Sequence, residues 1–369
     1  MFSAADHQYM TQALRLAERG RYTTMPNPRV GCVIVKDGRV IGEGFHQRAG
    51  EPHAEVLALQ AAGDAARGAD AYITLEPCSH HGRTPPCADA LIKADIHRVV
   101  AAMQDPNPRV AGSGLAHLAA QGIETACGLM EAQARELNTG FISRMTLDKP
   151  YVRSKIAASL DGRTALANGV SQWITGEAAR TDVQHWRAQS CAILTAVSTV
   201  DADDPLMTVR LPQLLYKKQG RQPLRVVADS RLKISPQAKI LQGGNVLIAY
   251  ASDAEARAEA LREAGAELVQ LPDANGRVCL QSLLKTLAQW EINEVMVEAG
   301  PGFNGALLEL DLIDEFLMYY APILIGDAGK GMFSMTALTE MSQRKALEIM
   351  DLRQVGSDIR LRARPKILK

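Results

Sequence analysis

His53-Ala54-Glu55, followed by Glu76-Pro77-Cys78 and then Pro85-Pro86-Cys87, gathers one imidazole, two thiols and a spare carboxylate. Zinc accepts His and Cys together, and a catalytic zinc site uses three protein ligands and keeps one position open for water. His53, Cys78 and Cys87 meet that need and leave Glu55 over as a proton carrier. The neighbouring residues put these groups at the ends of regular elements. Ala54 to Ala62 is apolar and reads as a helix, which places His53 and Glu55 in its first turn. Ala71-Tyr72-Ile73-Thr74-Leu75 reads as a short buried strand with Cys78 just beyond its exit, and Cys87 opens a helix over Ala88 to Lys93. Helix N-termini favour thiolate over thiol, so two such ends facing each other would preform a metal site.

A lone Cys is usually a small buried hydrophobe. Cys32, Cys127, Cys191 and Cys279 lack comparable partners and are read that way. The combination carries the chemistry: H-x-E…P-C…C is the pattern of zinc deaminases that attack the amidine-like carbon of a nucleobase.

A length of 369 residues suggests two domains. Lys+Arg and Asp+Glu both number 41, which speaks against a nucleic-acid binder with its basic face. A small phosphorylated ligand needs only one or two Arg. Met1-Phe2-Ser3-Ala4-Ala5-Asp6 shows no basic region before an apolar core, so no signal peptide is expected. No stretch approaches the ~20 apolar residues that cross a bilayer, and six Cys without a disulfide framework fit a reducing compartment. A cytoplasmic protein without membrane contact is the expectation.

The first half alternates helix and strand. Met10, Ala13, Leu14 and Ala17 recur at helical spacing and Gly20 closes that helix. Val30 to Val35, a turn at Asp37-Gly38 and Val40-Ile41-Gly42 read as a hairpin. Arg98 to Met103 and Glu124 to Ala126 supply further strands around a helix at Gly114 to Gln121, giving an α/β layered domain. Thr146-Leu147-Asp148-Lys149-Pro150 reads as a joint. Beyond it, strands at Tyr151 to Ala157, Ala192 to Thr195, Leu224 to Asp229, Val246 to Ala249 and Val295 to Glu298 alternate with helices at Glu177 to Gln189, Ala254 to Ala264 and Leu280 to Gln289. That order predicts a largely parallel sheet covered on both faces.

Gly300-Pro301-Gly302-Phe303-Asn304-Gly305 has the letters G-x-G-x-x-G between a strand and a helix, where glycines let phosphates reach a helix N-terminus. It comes late in the chain, however, and Tyr319-Tyr320-Ala321-Pro322 stands where an acidic ribose contact is wanted. A dinucleotide loop and a simple tight turn are both open at this point.

Thr24-Met25-Pro26-Asn27-Pro28-Arg29-Val30-Gly31, His53-Ala54-Glu55 and Leu75 to Cys87 resemble the bifunctional deaminase–reductase of bacterial riboflavin biosynthesis. Ordinary cytidine and tRNA adenosine deaminases carry P-C-x-x-C, whereas eight residues separate Cys78 from Cys87 here, with Gly82-Arg83-Thr84-Pro85-Pro86 among them, as in the riboflavin branch. Lys155 to Arg163, Ser171 to Thr175, Asp203-Asp204-Pro205 and Val297 to Pro301 resemble its reductase domain, so the likeness spans nearly the whole chain.

The resemblance implies a cytidine-deaminase-like α/β/α layer domain over residues 1–147 and a dihydrofolate-reductase-like α/β domain over 148–369. It implies deamination of 2,5-diamino-6-ribosylamino-4(3H)-pyrimidinone 5′-phosphate, then reduction of the ribosyl chain to ribityl with NADPH, yielding 5-amino-6-(5-phosphoribitylamino)uracil. One Zn2+ per chain would sit on His53, Cys78 and Cys87, with Glu55 catalytic. Asn27, His46, His80, Arg83 and Asn107 would hold the pyrimidine or its phosphate, although Asn27 and Asn107, each before Pro, also suit turns. In the reductase, Lys155, Ser171, Arg187, Met207, Arg210 and Glu298 would contact substrate, the two Arg gripping the phosphate. NADPH would meet Ala157, Trp173, Thr199, Asp203, Ser230 and the turn Gly300, Pro301, Gly302, Phe303, Asn304, Gly305 and Ala306; Trp173 equally suits a core, and Asp203 is a candidate proton donor. A homo-oligomer, dimer or tetramer, is the family's usual state.

Three rival readings differ in what they demand. A nucleic-acid deaminase with an RNA-binding module needs a basic, aromatic-rich second half, against a balanced charge and 5% aromatic content. A pyrimidine-binding scaffold without catalysis needs the loss of Glu55 or a ligand, and all four are present. A chain with one working domain and one supporting domain has the same sequence signature as the bifunctional enzyme.

Overall fold

The computed structural model describes residues 1–79, 86–108, 110–211, 221–253 and 256–366. The chain divides into two compact units, Met1–Lys149 and Pro150–Lys369.

The first unit opens with α1 (Ala4–Glu18). Ser3 Oγ accepts from the Asp6 N–H at 3.1 Å and Asp6 returns a bond to the Ser3 N–H at 2.7 Å, a reciprocal cap that satisfies orphan donors. β1 (Gly31–Lys36) and β2 (Arg39–Phe45) form a hairpin, and Asp37 and Gly38 at its tip take positive φ of 51° and 73°, as the twist of a two-residue turn requires. α2 (Ala54–Ala62), β3 (Asp70–Ile73), α3 (Cys87–Lys93), β4 (Arg98–Ala101), α4 (Ser113–Ala120) and β5 (Glu124–Cys127) follow, then α5 (Glu131–Leu137) and α6 (Thr139–Leu147). The five strands run β2-β1-β3-β4-β5, with β1 antiparallel to its neighbours and β3, β4 and β5 parallel.

Strand alternation sorts this core into two layers. Cys32 and Ile34 pack with Ala54, Ala58, Leu91 and Leu118 from α2, α3 and α4. Val33 and Val35 pack with Met10 and Ala13 of α1 and Ala134 of α5 on the other face. This is the expected α/β/α arrangement, with α2 and α3 in contact on one side. His53 differs in detail from the sequence reading: it is the N-cap of α2, with φ −73° and ψ 166°, and not a first-turn residue. The helix proper starts at Ala54, because His53 still has the extended backbone of the incoming loop.

The second unit contains β6 (Tyr151–Ser159), β7 (Arg163–Ala165), α7 (Glu177–Gln189), β8 (Ala192–Ala196), α8 (Val197–Asp203), β9 (Leu224–Ala228), β10 (Val246–Tyr250), α9 (Ala258–Glu263), β11 (Ala266–Gln270), α10 (Leu280–Gln289), β12 (Glu294–Val297), α11 (Pro301–Glu309), β13 (Glu315–Ala321), β14 (Lys330–Gly331), β15 (Leu347–Val355) and β16 (Asp358–Pro365). Nine strands form one sheet in the order β11-β10-β9-β8-β12-β6-β13-β16-β15. The first seven are parallel, while β16 and β15 add an antiparallel edge that the periodicity does not announce. Leu194, Val226, Val295 and Phe316 pack under α10 and α11. Ile193, Val227 and Ile248 face α8 and α9, and Met296 and Leu317 face α7. Helices thus cover both faces, as the near-continuous apolar strands require.

Candidate active sites

In the first unit three ligand atoms converge. His53 Nδ1 lies 3.2 Å from Cys87 Sγ and 3.7 Å from Cys78 Sγ, and all three donors lie within 4.8 Å of one another. Zn–S and Zn–N bonds of about 2.3 and 2.0 Å at tetrahedral angles imply separations of about 3.5 Å for N···S and 3.8 Å for S···S, so the triangle suits zinc once the His53–Cys87 distance of 3.2 Å opens by a few tenths of an ångström. Each corner has a local cause. α2 presents His53 from its N-cap, Cys78 follows the exit of β3, and Cys87 is the first residue of α3, its N–H donating to Cys78 Sγ at 3.3 Å. The two thiols share a proton: hydrogen bonding from Cys87, helped by His53, pulls Cys78 down to about 4 against burial. Cys87, as the donor, is pushed far up.

Glu55 is one residue into α2, 3% exposed, and its Oε2 has no hydrogen-bond partner among the described residues. Burial pushes its carboxyl up to about 7, with His53 opposing. A buried acceptor with no partner costs free energy, which a water held at the open metal position would recover.

Beside the triangle, His46 is buried and its ring meets that of His53 edge-on at 5.2 Å. His46 Nδ1 faces the Pro52 carbonyl at 3.2 Å, so that nitrogen carries the proton; Nε2 then accepts from Asn27 Nδ2 at 3.0 Å. Burial holds His46 below its ordinary pKa, in keeping with this neutral tautomer. The structure therefore brings Asn27 and His46 to the metal triangle. Asn107 lies in the loop after β4, where its N–H donates to Asp105 Oδ1 at 2.8 Å and its carbonyl accepts from Val110 and Ala111. His80 and Arg83 fall outside the described residues.

Asn138, which the sequence reading does not single out, bonds Arg29 N–H at 2.8 Å and the Arg29 carbonyl at 3.0 Å, fixing the segment that follows Asn27. Nothing in the sequence pairs residues 109 positions apart.

In the second unit Lys155, Arg187, Glu298, Thr199 and Gly300 come together at the C-terminal ends of the parallel strands. The chain leaves β8 towards β9 on one side and leaves β12 towards β13 on the other, so the two strand ends bound a topological switch point, where open α/β sheets bind ligands. Hydrogen bonds pin this crevice: Glu298 N–H to Leu194 O at 3.0 Å, Thr195 Oγ1 to Glu298 O at 2.7 Å, and Gly300 N–H to Thr199 Oγ1 at 3.2 Å. Gly300 is the N-cap of α11, and neither it nor Gly302 has anything within 4 Å of an added Cβ. Gly305 differs: a Cβ there would stand 2.0 Å from Ser334 O, so this glycine serves packing. Asn304 is buried, accepting from Ser154 Oγ at 3.1 Å and donating to Ala299 O at 3.0 Å. The G-x-G-x-x-G letters thus fall on an open helix N-terminus followed by a packed turn, and that cradle has room for a dinucleotide phosphate.

Arg187 spends three N–H donors, two on Glu298 at 2.5 and 2.9 Å and one on Thr208 O at 3.1 Å. Lys155 Nζ lies 3.8 Å from Glu298 Oε2. Burial would raise the Glu298 carboxyl, but Arg187 and Lys155 hold it at about 2; burial in turn presses Lys155 below its usual value. Ala157 stands two residues along β6 from Lys155, half-buried on the same side. Arg210 is exposed, its N–H donating to Gln184 at 2.9 Å. Trp173 is 71% exposed with Arg180 stacked 4.7 Å over its ring, which removes the core reading. Ser171 lies half-buried two residues earlier. Ser230, past β9, accepts from Val278 N–H at 3.1 Å, and Asp203 is exposed at the end of α8. Met207 packs in the core beneath the sheet.

Residues 3–103 match the model of the cytidine and deoxycytidylate deaminase zinc-binding region, and residues 150–361, more than half of the chain, match that of the RibD C-terminal domain. The riboflavin biosynthesis protein RibD of Escherichia coli K12 is 50% identical over 363 residues, covering 96% of this chain and 98% of that protein. The chain belongs to the RibD family. RibD of Haemophilus influenzae is 46% identical over 378 residues, covering 99% of each. Among solved structures, Acinetobacter baumannii RibD (form 1) superposes with a TM-score of 0.91 at 47% identity, covering 98% of this chain and 99% of that one. A Thermotoga maritima diaminohydroxyphosphoribosylaminopyrimidine deaminase/5-amino-6-(5-phosphoribosylamino)uracil reductase gives 0.85 at 34% identity over the same shares.

As a RibD protein the chain is a bifunctional deaminase and reductase of riboflavin biosynthesis, using zinc in the deaminase domain and NADPH in the reductase domain. No helix among the described residues is long and apolar enough to cross a membrane.

Proposed function

We propose that the unit before Pro150 deaminates 2,5-diamino-6-ribosylamino-4(3H)-pyrimidinone 5′-phosphate and that the unit after it reduces the product's ribosyl chain to ribityl. The observation that carries this reading is the convergence of His53, Cys78 and Cys87 beside a buried Glu55 whose Oε2 has no hydrogen-bond partner among the described residues. Zinc on those three donors supplies Lewis-acid chemistry that makes water nucleophilic near neutral pH. Glu55, poised at about 7, takes one proton from the attacking water and passes it to the ring nitrogen, then carries the second from the resulting hydroxyl to the amino group, which leaves as ammonia while the carbonyl forms. His46 fixes the Asn27 amide by accepting from its NH2, which turns Asn27 Oδ1 outward as an acceptor for N–H groups of the pyrimidine. His80, Arg83 and Asn107 complete the substrate contacts.

Ala157, Trp173, Thr199, Asp203, Ser230 and the α11 N-terminus from Gly300 to Ala306 would hold NADPH, which would supply the hydride. Lys155, Ser171 and Glu298 form the sugar side, and Met207, buried in the core, is set aside as a contact. Arg187 positions Glu298 with two donors and keeps two N–H groups for the phosphate that Arg210 also meets. Asp203 donates the proton that accompanies hydride transfer.

The protein works in the cytoplasm as a homo-oligomer. All six cysteines are unpaired, as a reducing compartment keeps them. β15 is an exposed sheet edge with Ile349 and Leu352 each 64% exposed, and such edges are ordinarily covered.

A coupled assay tests the assignment. Ammonia release should precede NADPH oxidation, and Glu55→Ala should stop both. Adding the deaminated intermediate to Glu55→Ala should restore NADPH oxidation alone. Bound zinc with neither signal would refute the substrate assignment.

A further inference from the structure

We propose that Glu76 is a positioning residue of the deaminase site, a carboxylate clamp that fastens the Asn107 loop to the Cys78 segment and thereby sets substrate affinity. The clamp rests on the reading of Asn107 as a substrate contact. Glu76 leaves β3 two residues before Cys78 and is 3% exposed. Its Oε2 accepts from the N–H groups of Asp105 at 3.0 Å and Gly112 at 2.9 Å. Its Oε1 accepts from Gly114 at 2.9 Å and Leu115 at 3.2 Å. Four amide donors fill the acceptor sites of one carboxylate.

Among the described residues no ion pair reaches Glu76, so its charge is met by backbone amides and the N-terminus of α4. The loop is thereby held at both ends, at Asp105 and at Gly112 to Leu115, with Asn107 between. Two further contacts tie the same pieces together. Ser79 Oγ lies 2.7 Å from Ser113 Oγ, and a Cβ on Gly114 would stand 1.9 Å from Pro77 O, so α4 rests directly on the residue before Cys78. Cys78 has its own anchors in Cys87 and His53, which are independent of this carboxylate. Loss of the clamp therefore frees the loop before it disturbs the metal donors.

The test compares full-length E76Q, N107A and the double variant for KM and kcat of deamination, zinc content and NADPH oxidation with the deaminated intermediate. The E76Q change replaces one carboxylate oxygen, which accepts two of the four bonds, by an NH2 group that faces amide donors. KM in E76Q should rise roughly tenfold or more, the scale of misplacement from outside the chemistry. kcat should change far less, and zinc content and reductase rate should be those of the wild type. The double variant should be no worse than N107A, because the clamp acts through the loop. An unchanged KM in E76Q beside a raised one in N107A overturns the clamp. So do effects that multiply, or zinc loss in step with activity. A silent N107A beside an impaired E76Q removes Asn107 from the substrate contacts and overturns the clamp with it, whereas the first of these outcomes overturns the clamp alone. If E76Q yields no folded protein, E76D, which keeps the charge and shortens the reach, is judged by the same criteria.

Discussion

Gly44→Ala should disable deamination and spare reduction, although Gly44 touches no reacting group. A Cβ at 44 would stand 2.2 Å from Ala54 O, 2.6 Å from Ala58 N and 2.9 Å from Leu57 Cβ. The first two are backbone atoms of α2, so no side-chain rotation relieves the clash. Real Cβ contacts essentially never fall under 3.0 Å, so α2 must retreat by about 0.8 Å (3.0 − 2.2). Overpacking of this kind costs about 1–3 kcal/mol.

The catalytic cost is larger. α2 carries His53 and Glu55, whereas Cys78 and Cys87 belong to other elements, so the retreat opens the 3.2 and 3.7 Å separations between His53 Nδ1 and the two sulfurs. Displacement approaching 1 Å costs about 10²-fold in rate. Ammonia release, zinc content and NADPH oxidation on supplied intermediate should be measured beside Val40→Ala, a partly exposed position on the same strand. Deamination within about threefold of wild type with full zinc would refute the argument, since α2 would then have another way to absorb the methyl group.

Two further outcomes bear on the reductase. The Glu298 carboxyl is held at about 2, below its ordinary 4.5, because Arg187 and Lys155 outweigh burial. The folded state thus binds this proton only at lower pH than the unfolded chain, so the stabilisation is complete above about 4.5 and is lost as pH falls towards 2, on the order of 3 kcal/mol. Urea unfolding between those limits should show a shallower acid loss for Glu298→Gln; equal slopes would contradict the assignment. Gly300→Val should weaken NADPH binding at least about tenfold with stability changed by less than about 1 kcal/mol, because its side chain enters space that no protein atom fills. Fluorescence titration of NADPH reads the first and thermal melting the second, and wild-type affinity would move the cofactor elsewhere.

What the sequence reveals here is what local pattern encodes. His53, Glu55, Cys78 and Cys87 are legible because zinc chemistry dictates the residue types, while helix starts place His53, Glu55 and Cys87 and a strand exit places Cys78. The parallel sheet is legible because strands buried on both faces are apolar throughout. β15 escapes because Leu347, Ile349, Met350 and Leu352 are exposed together, and a bulge between Ile349 and Asp351 breaks the period. The Arg187–Glu298 pair spans 111 residues and Asn138 reaches Arg29 across 109, separations at which sequence pattern carries no signal.

Glutamate shows why residue type alone cannot assign a role in this chain. Glu55, Glu76, Glu298 and Glu315 are all strongly shielded from water, yet their partners differ. Glu55 has an unpartnered oxygen, so burial lifts its carboxyl to about 7, the condition for exchanging a proton at neutral pH. Glu298 faces a guanidinium and an ammonium and stays ionised, which suits it to orient a sugar and not to shuttle protons. Glu315 is buried too, but Arg153 and Arg362 hold it far below the carboxylate range, and with Arg364 they tie β6, β13 and β16 together at the N-terminal ends of β6 and β13, away from the crevice. Removing one partner from such a buried pair costs several kcal/mol, about 3–5, whereas Glu55 has no ionic partner to lose. Glu55→Ala should therefore abolish deamination at little cost in stability, and the same change at Glu315 should cost stability first.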